Sequence, residues 1–408
     1  MRHDKLSTIE LRAAASLGGI LAIRMLGLFM IMPVFSLYAH KLTGFTPMLM
    51  GLAIGAYGLT QALLQIPFGL LSDRIGRKRV IVIGLIIFAI GSVIAAVSDS
   101  IYGVIAGRAI QGAGAISAAI MALLADLTRI ETRTKAMAIL GGSIGTAFAA
   151  ALVLGPVFNG WFGVPGIFWL TAGLALLGIL ATGYVVPRPT ISRFHRDAEP
   201  VPAQFGRTLS DPELLRLNFG IFSLQLLITA NFVALPLILR DTLHLNPAHH
   251  WWLYLPVLLL AVAAMFPFIR LAEKRGHTKA VFLGAIVTMA ISDAGLGVFH
   301  QQLAQVALLL LLFFTAFNFM EASLPSMVSR LAPPDRKGTA MGLFSTSQFL
   351  GAFIGGGIGG WLLGYSGASG VFDGCAIAAG VWLLAAAGMR PPQRDVASTT
   401  FARASDLE

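Results

Sequence analysis

The feature that most constrains this chain is the recurrence, along its whole length, of apolar runs long enough to cross a lipid bilayer. A bilayer-spanning helix needs about 20 mostly apolar residues. Runs near that length lie at 14–38, 47–71, 79–98, 101–125, 135–157, 165–186, 214–240, 250–272, 279–298, 303–329, 339–363 and 369–389. Inside hydrocarbon, backbone N–H and C=O groups must be satisfied within the segment itself, so runs of this length read as helices. Composition agrees: 12% of the residues are charged, against about 25% in soluble domains. The expected fold is an all-α membrane protein with twelve transmembrane helices. The first run carries Arg24 and no small-residue cleavage site follows it, so it reads as a retained helix and not as a signal peptide.

Lys and Arg fix the orientation. Of the 29 basic residues, 25 fall at span ends on the side of the N-terminus; Lys41 and Arg240 fall on the other side, and Arg24 and Arg108 lie within spans. Basic residues concentrate in cytoplasmic loops, so both termini are expected in the cytoplasm. The net charge of +10 is then a topology signal, and nucleic acid is not an expected partner. The single cysteine, Cys375, excludes a disulfide framework or a cysteine metal cluster, and the histidines show no ligand spacing. No nucleotide-binding glycine loop or Ser/His/Asp set is visible. Neither an enzyme nor a bound metal or cofactor is expected.

The longest polar stretch, 187–213, is rich in Pro and charge. It reads as a cytoplasmic linker between a six-helix half at 1–186 and a second at 214–390, with a short cytoplasmic tail at 391–408. The halves echo each other. "QIPFGLLSDRIGRKRV" at 65–80 aligns with "MFPFIRLAEKRGHTKAV" at 265–281, so that Pro67 meets Pro267, Asp73 meets Glu273 and Gly76 meets Gly276, while Ile269 replaces Gly69. A second echo pairs Gly160-Trp161 with Gly360-Trp361. Two matches in a 6+6 layout favour a duplicated transporter architecture, with two pseudo-symmetric halves around a central cavity.

The loop "FGLLSDRIGRKRV", 68–80, packs Asp73 among Arg74, Arg77, Lys78 and Arg79. A topology anchor accounts for the bases but not for Asp73 or the glycines. Gly69 permits close helix approach and Gly76 suits a turn with positive φ. Arg108 and Gln111 share a helical face; Arg108 could snorkel to the near end of its span. Arg24 has no such route and points to a polar cavity.

Four segments together carry a family resemblance. "GLLSDRIGRK" resembles the loop motif between the second and third helices of the major facilitator superfamily. "RAIQGAGA", from Arg108, looks like its fourth-helix motif, and "LGPVFNGW", Leu154 to Trp161, is similar to the fifth-helix motif of its twelve-helix drug/proton antiporters. "LGLFMIMPVF" also looks like that group. "FNFMEASLPS" and "KGTAMGLFSTSQFLG" look like the bacterial YajR-type multidrug transporters. Some members of that subgroup carry a small soluble C-terminal domain, for which the expected tail leaves no room. The resemblance implies a bacterial inner membrane location and a conformational latch of Gly69, Asp73, Arg74, Gly76, Arg77 and Asp126. In that latch Asp126 accepts Arg77 and the eleventh span closes against Gly69. The resemblance also gives Arg108 a part in proton coupling. It associates Gly155, Pro156 and Gly160 with tight packing that seals antiporters against leaks.

A proton-coupled carrier needs a buried group that gains and loses a proton. Glu321, mid-span with Asn318 one turn before and Pro325 one turn after, is the first candidate, with Asp293 second and Arg24 and Arg108 as accompanying cations. A fixed hydrogen bond between Glu321 and Arg24 or a glutamine is the plainer alternative. Gln61, Gln225, Asn231, Asn318 and Gln348, amides within spans, are expected to face partners or a wet cavity. Met30, Phe35 and Phe317 join them as candidate walls of an adaptable pocket. The expectation is a monomeric secondary transporter that exports small hydrophobic or amphipathic compounds, drugs included, by alternating access. A proton gradient drives it, with small-molecule substrate, protons and bilayer as partners. The alternatives are proton symport of a sugar, nucleoside or organic acid, which a weak basic lining and the fifth-helix motif disfavour, and a transport-dead membrane sensor.

Overall fold

The computed structural model of the chain describes residues 6–187, 201–274, 277–333 and 336–389. Among the described residues the structure is helical, with one isolated backbone bridge between Thr43 and Ser100. Ten helical stretches are long and apolar enough to cross a membrane. Two of them run 55 and 51 residues, from Ile130 to Tyr184 and from Lys337 to Ala387. Each turns back at a glycine with positive φ, Gly163 at 68° and Gly367 at 74°. Glycine is the residue that takes this conformation without a Cβ clash, so each stretch makes two crossings. Counted this way, the described residues hold twelve segments of crossing length.

The first crossing is α1 (Thr8–Phe29) followed by α2 (Met32–Tyr38). It begins earlier than expected because Ser7 and Glu10 form a capping box: the Ser7 hydroxyl accepts from the Glu10 N–H and the Ser7 N–H donates to the Glu10 carboxylate. The break at Met30–Ile31 precedes Pro33, which has no N–H to continue the ladder. The second and third crossings are α3 (Pro47–Ile75) and α4 (Arg77–Ala96), hinged at Gly76 with φ 99°. The fourth was expected to be continuous. It is two helices, α5 (Ile101–Ala113) and α6 (Ser117–Asp126), separated at 114–116. The two crossings of α7 (Ile130–Tyr184) complete the first half.

The linker is partly helical, with a short α8 (Phe205–Leu209); residues 188–200 lie outside the described residues, as does the expected tail at 391–408. The second half comprises α9 (Pro212–Asp241), α10 (Trp251–Lys274), α11 (Thr278–Val298), α12 (Leu303–Leu331) and α13 (Lys337–Ala387). The second copy of the charged loop falls on side chains at 273–276 that lie outside the described residues.

Lipid tails are as apolar as leucine, so helix association here rests on close packing. α13 supplies two glycine rails. Gly351, Gly355 and Gly359 face the backbone of α9 at Phe222, Leu226 and Ala230, within the second half. Gly356 and Gly360 face Gly51 and Gly55 of α3, across the halves. A methyl at Gly55 would lie 2.7 Å from the Phe353 carbonyl oxygen. Large exposed apolar side chains such as Leu63, Ile90, Leu180, Leu259 and Ile377 ring the outside, where hydrocarbon is the solvent.

Candidate functional site

Among the described residues, three polar groups gather charged side chains that the sequence singles out. The first is at the basic end of the bundle, where α1 begins. Arg77 opens α4, buried beneath the loop. Its guanidinium bonds the Ser72 hydroxyl at 2.8 Å, contacts the Asp73 carboxylate, and pairs with Asp126 at 3.5 Å. The described bonds thus join α3, α4 and α6. Asp73 sits at the C-terminal end of α3, where the helix dipole disfavours an anion, and Arg77 offsets that cost. Arg74 is exposed, outside this group. One expectation is corrected here. Gly69 faces the fourth crossing and not the eleventh: the atom a methyl there would meet is Ala118 Cβ, at 3.1 Å. The eleventh crossing approaches α3 one turn away, where the Gln65 amide donates to the Gly342 carbonyl and the Thr346 hydroxyl, both at 3.2 Å.

A neighbouring ion pair escaped the sequence reading. Glu10 accepts from the Arg129 backbone N–H at 2.9 Å, from Arg129 Nε at 3.0 Å and from the Thr132 hydroxyl at 2.8 Å. The side-chain bond to the Glu10 carboxylate holds the Arg129 guanidinium, in the loop before α7, above the usual arginine range. The capping-box spacing Ser7–Glu10 was the available signal, and it located the helix start but not the long-range partner.

The second group fills the first half. Arg24 is buried, with Nη2 donating to Gln61 Oε1 at 2.6 Å and Nη1 to the Ser117 hydroxyl at 3.5 Å. Arg108 does not snorkel. It turns inward and donates to Gln111 Oε1 at 3.0 Å and to the carbonyls of Ala53 and Ile54 at 3.4 and 3.3 Å. The two guanidiniums lie against the Tyr57 ring, 5.4 and 5.3 Å from its centroid. Among the described residues neither bonds a carboxylate.

The third group belongs to the second half. Glu321 of α12 is half-buried and accepts from Gln225 of α9 at 3.2 Å and from Gln348 of α13 at 3.0 Å. Asp293 lies in the last third of α11, further toward the end than mid-span, and is wholly enclosed. It accepts from Asn231 of α9 at 2.8 Å. α9 therefore holds both acids, through amides six residues apart.

The expected pocket residues divide. Gln225 and Gln348 hold Glu321, and Asn318 is half-buried beside them on α12 with an unbonded amide nitrogen. Phe317 stacks on Phe313 and reaches Phe148 of the first half at 5.6 Å; Phe148 meets Phe29 edge-on at 5.0 Å. This aromatic bridge joins the halves, and Phe148 was not singled out from sequence. Gln61 and Asn231 are committed to Arg24 and Asp293. Met30 and Phe35 are enclosed in a packed cluster built mainly from the first half. In the fifth-helix motif, Gly155 lets α7 seat on the break of the first crossing: a methyl there would lie 2.6 Å from the Met30 carbonyl oxygen. Pro156 is buried beside it, and Gly160 faces Ala248 of the second half at 3.0 Å.

The profile of the Major Facilitator Superfamily matches residues 17–228 and 217–405. The inner membrane transport protein YajR of Escherichia coli (strain K12) is 49% identical over 392 residues, spanning 96% of this chain and 86% of that protein. The multidrug resistance protein MdtH of Proteus mirabilis (strain HI4320) is 23% identical over 342 residues, spanning 83% of each. Among solved structures, a bacterial homolog of the human lysosomal transporter Spinster superposes with a TM-score of 0.71 at 14% identity, covering 94% of this chain and 98% of that one.

Proposed function

The chain belongs to the major facilitator superfamily of membrane transporters, and from that premise we propose that it exports small hydrophobic or amphipathic compounds in exchange for protons, by alternating access. The observation that carries the proposal is Glu321. It is a carboxyl group deep in the bundle, at the junction of α9, α12 and α13, held among the described residues by the amides of Gln225 and Gln348. An amide bonds either protonation state, whereas a fixed cation would pin the charged one. Such a group exchanges a proton without losing its partners. The name of the multidrug relative supports the class of cargo, and the name of the Escherichia coli relative supports an inner-membrane location. The weight of Lys and Arg at one end of the bundle supports placing that end, with both termini, in the cytoplasm. Both halves lie in one chain, so one copy suffices for the cycle.

In the cycle, protonation of Glu321 from outside releases the cargo. The halves rock about the rail between α3 and α13, and the proton leaves toward the cytoplasm. The Arg77 group rearranges with the loop between α3 and α4. The test is reconstitution into proteoliposomes with an imposed pH gradient and a panel of fluorescent cationic and neutral dyes. Gradient-driven dye movement, lost in Glu321→Gln, is expected. Movement of no dye, or coupling unchanged in Glu321→Gln, overturns the assignment.

A further inference from the structure

We infer that the buried group around Arg24 is an anion site, taking a monovalent anion: the carboxylate of an amphipathic cargo or an inorganic halide. The site stands where the fourth crossing breaks. α6 starts at Ser117 after the non-helical 114–116, so its first N–H groups have no partner within the helix and its dipole presents positive charge there. Half-helix starts of this kind inside a membrane bundle point at anionic groups. Arg24 reaches the same place, its Nη1 on the Ser117 hydroxyl at 3.5 Å.

What remains unbonded in the group is of one kind. Arg24 Nε, the Gln61 amide nitrogen and the Tyr57 hydroxyl have no hydrogen-bond partner. The three residues are 0%, 0% and 1% exposed. Each of these atoms can donate. Gln61 Oε1 already takes Arg24 Nη2 at 2.6 Å, while the Tyr57 hydroxyl can accept as well as donate. The charge has no counter-ion: Arg24 and Arg108 both face Tyr57, and no carboxylate bonds either among the described residues. Unpaired donors and unneutralised cations beside a helix start make a site that lacks only an anion. Ser117 and Ala118 are partly exposed, and Ala118 lines the narrow gap between the halves with Gln65 and Gly342. Arg24 therefore bonds the chain neighbour of a residue on that gap.

The inference rests on the transport reading only where it makes the anion a cargo; binding itself needs no gradient. The experiment follows thermal unfolding of the purified full-length chain in detergent, in a buffer without other small anions. Sodium benzoate, sodium chloride and neutral benzamide are titrated separately. A saturable rise with benzoate assigns the organic carboxylate, and one with chloride alone assigns the halide; benzamide has no effect in either case. Arg24→Gln weakens the response by about tenfold or more, as loss of a charge-assisted contact does. Ser117→Ala, at a partly exposed hydroxyl, weakens it without threatening the fold. A response no greater than that to benzamide, or one that survives intact in both variants, overturns the site. A failed dye assay with an intact anion response counts against proton coupling and not against this site.

Discussion

The rail between α3 and α13 yields a worked prediction for Gly51→Ala. The new methyl would lie 2.8 Å from both Cα and N of Gly360, and closer still to the carbonyl oxygen of Gly356. Carbon contacts settle at about 3.5–4.0 Å, so the two helices must part by roughly 1 Å wherever the rail is closed. The atoms in the way are backbone, which no rotamer change can move. Overpacking of this kind costs about 1–3 kcal/mol, and a midpoint of about 2 kcal/mol changes an equilibrium about 30-fold. The cost falls only on conformations that keep the rail closed, so the population shifts toward those in which it has opened. A reporter cysteine in place of the enclosed Met50, in a Cys375→Ala background, reads this shift as a maleimide labelling rate. Gly51→Ala should accelerate labelling by a factor on the order of 10, while Gly19→Ala, with nothing within 4 Å of the added methyl, leaves it unchanged. Equal labelling with and without Gly51→Ala, in protein that remains folded, refutes the rail as a conformational contact. Gly355→Ala is the contrast. Its methyl would lie 2.8 Å from Leu226 Cα inside the second half, so it should lower thermal stability and leave the labelling rate of the surviving protein alone.

Three further outcomes follow from the polar groups. Gly69→Ala leaves 3.1 Å to Ala118 Cβ and should transport nearly normally, whereas Gly69→Leu should fail and be partly restored by Ala118→Gly, measured as dye efflux. Asn231→Leu strips the enclosed Asp293 of its bond and should destabilise the second half by about 1–3 kcal/mol, read from denaturation in detergent. Glu10→Ala should lower the unfolding temperature by releasing Arg129 and Thr132 from the start of α1. That loss should be smaller in high salt, because the exposed Arg129 end of the pair is screened.

Much of the architecture is legible in the sequence because hydrophobic length and charge asymmetry are read one segment at a time. The corner glycines Gly163 and Gly367 fall in the expected gaps between spans for the same reason. The breaks at Met30–Ile31 and 114–116 are not visible that way. Both lie inside unbroken apolar runs, and each depends on a neighbour. α7 seats Gly155 against Met30, and Gly114 lies against the backbone of α4 at Gly84. The same limit governs the site. Arg24, Arg108, Asp293 and Glu321 stand out because a charge inside a span is costly. Their partners, Gln61, Asn231, Gln225 and Gln348, stand out only as a class, since pairing across 27 to 96 residues is a tertiary matter. Phe148 and Glu10 were unremarked because an aromatic within a span and an acid at a helix start both have ordinary local explanations.

The charges are distributed differently at the basic end and deeper in the bundle. At the basic end the chain pairs its charges directly: Arg77 with Asp73 and Asp126, and Arg129 with Glu10. Deeper in the bundle it does the opposite. Both cations, Arg24 and Arg108, belong to the first half and rest on amides, carbonyls and an aromatic ring. Both acids, Asp293 and Glu321, belong to the second half and rest on amides. Removing such groups from water costs several kcal/mol each, and a direct ion pair would return part of that. A chain that forms ion pairs where they serve structure, yet keeps its innermost cations and acids apart, leaves those groups free for partners that come and go. Arg24 and Glu321 should then act separately. In a double-mutant cycle on detergent stability, Arg24→Gln and Glu321→Gln should be additive within about 0.5 kcal/mol. A coupling well above that would mean that the two charges already neutralise each other across the halves, and both the anion site and the proton site would lose their basis.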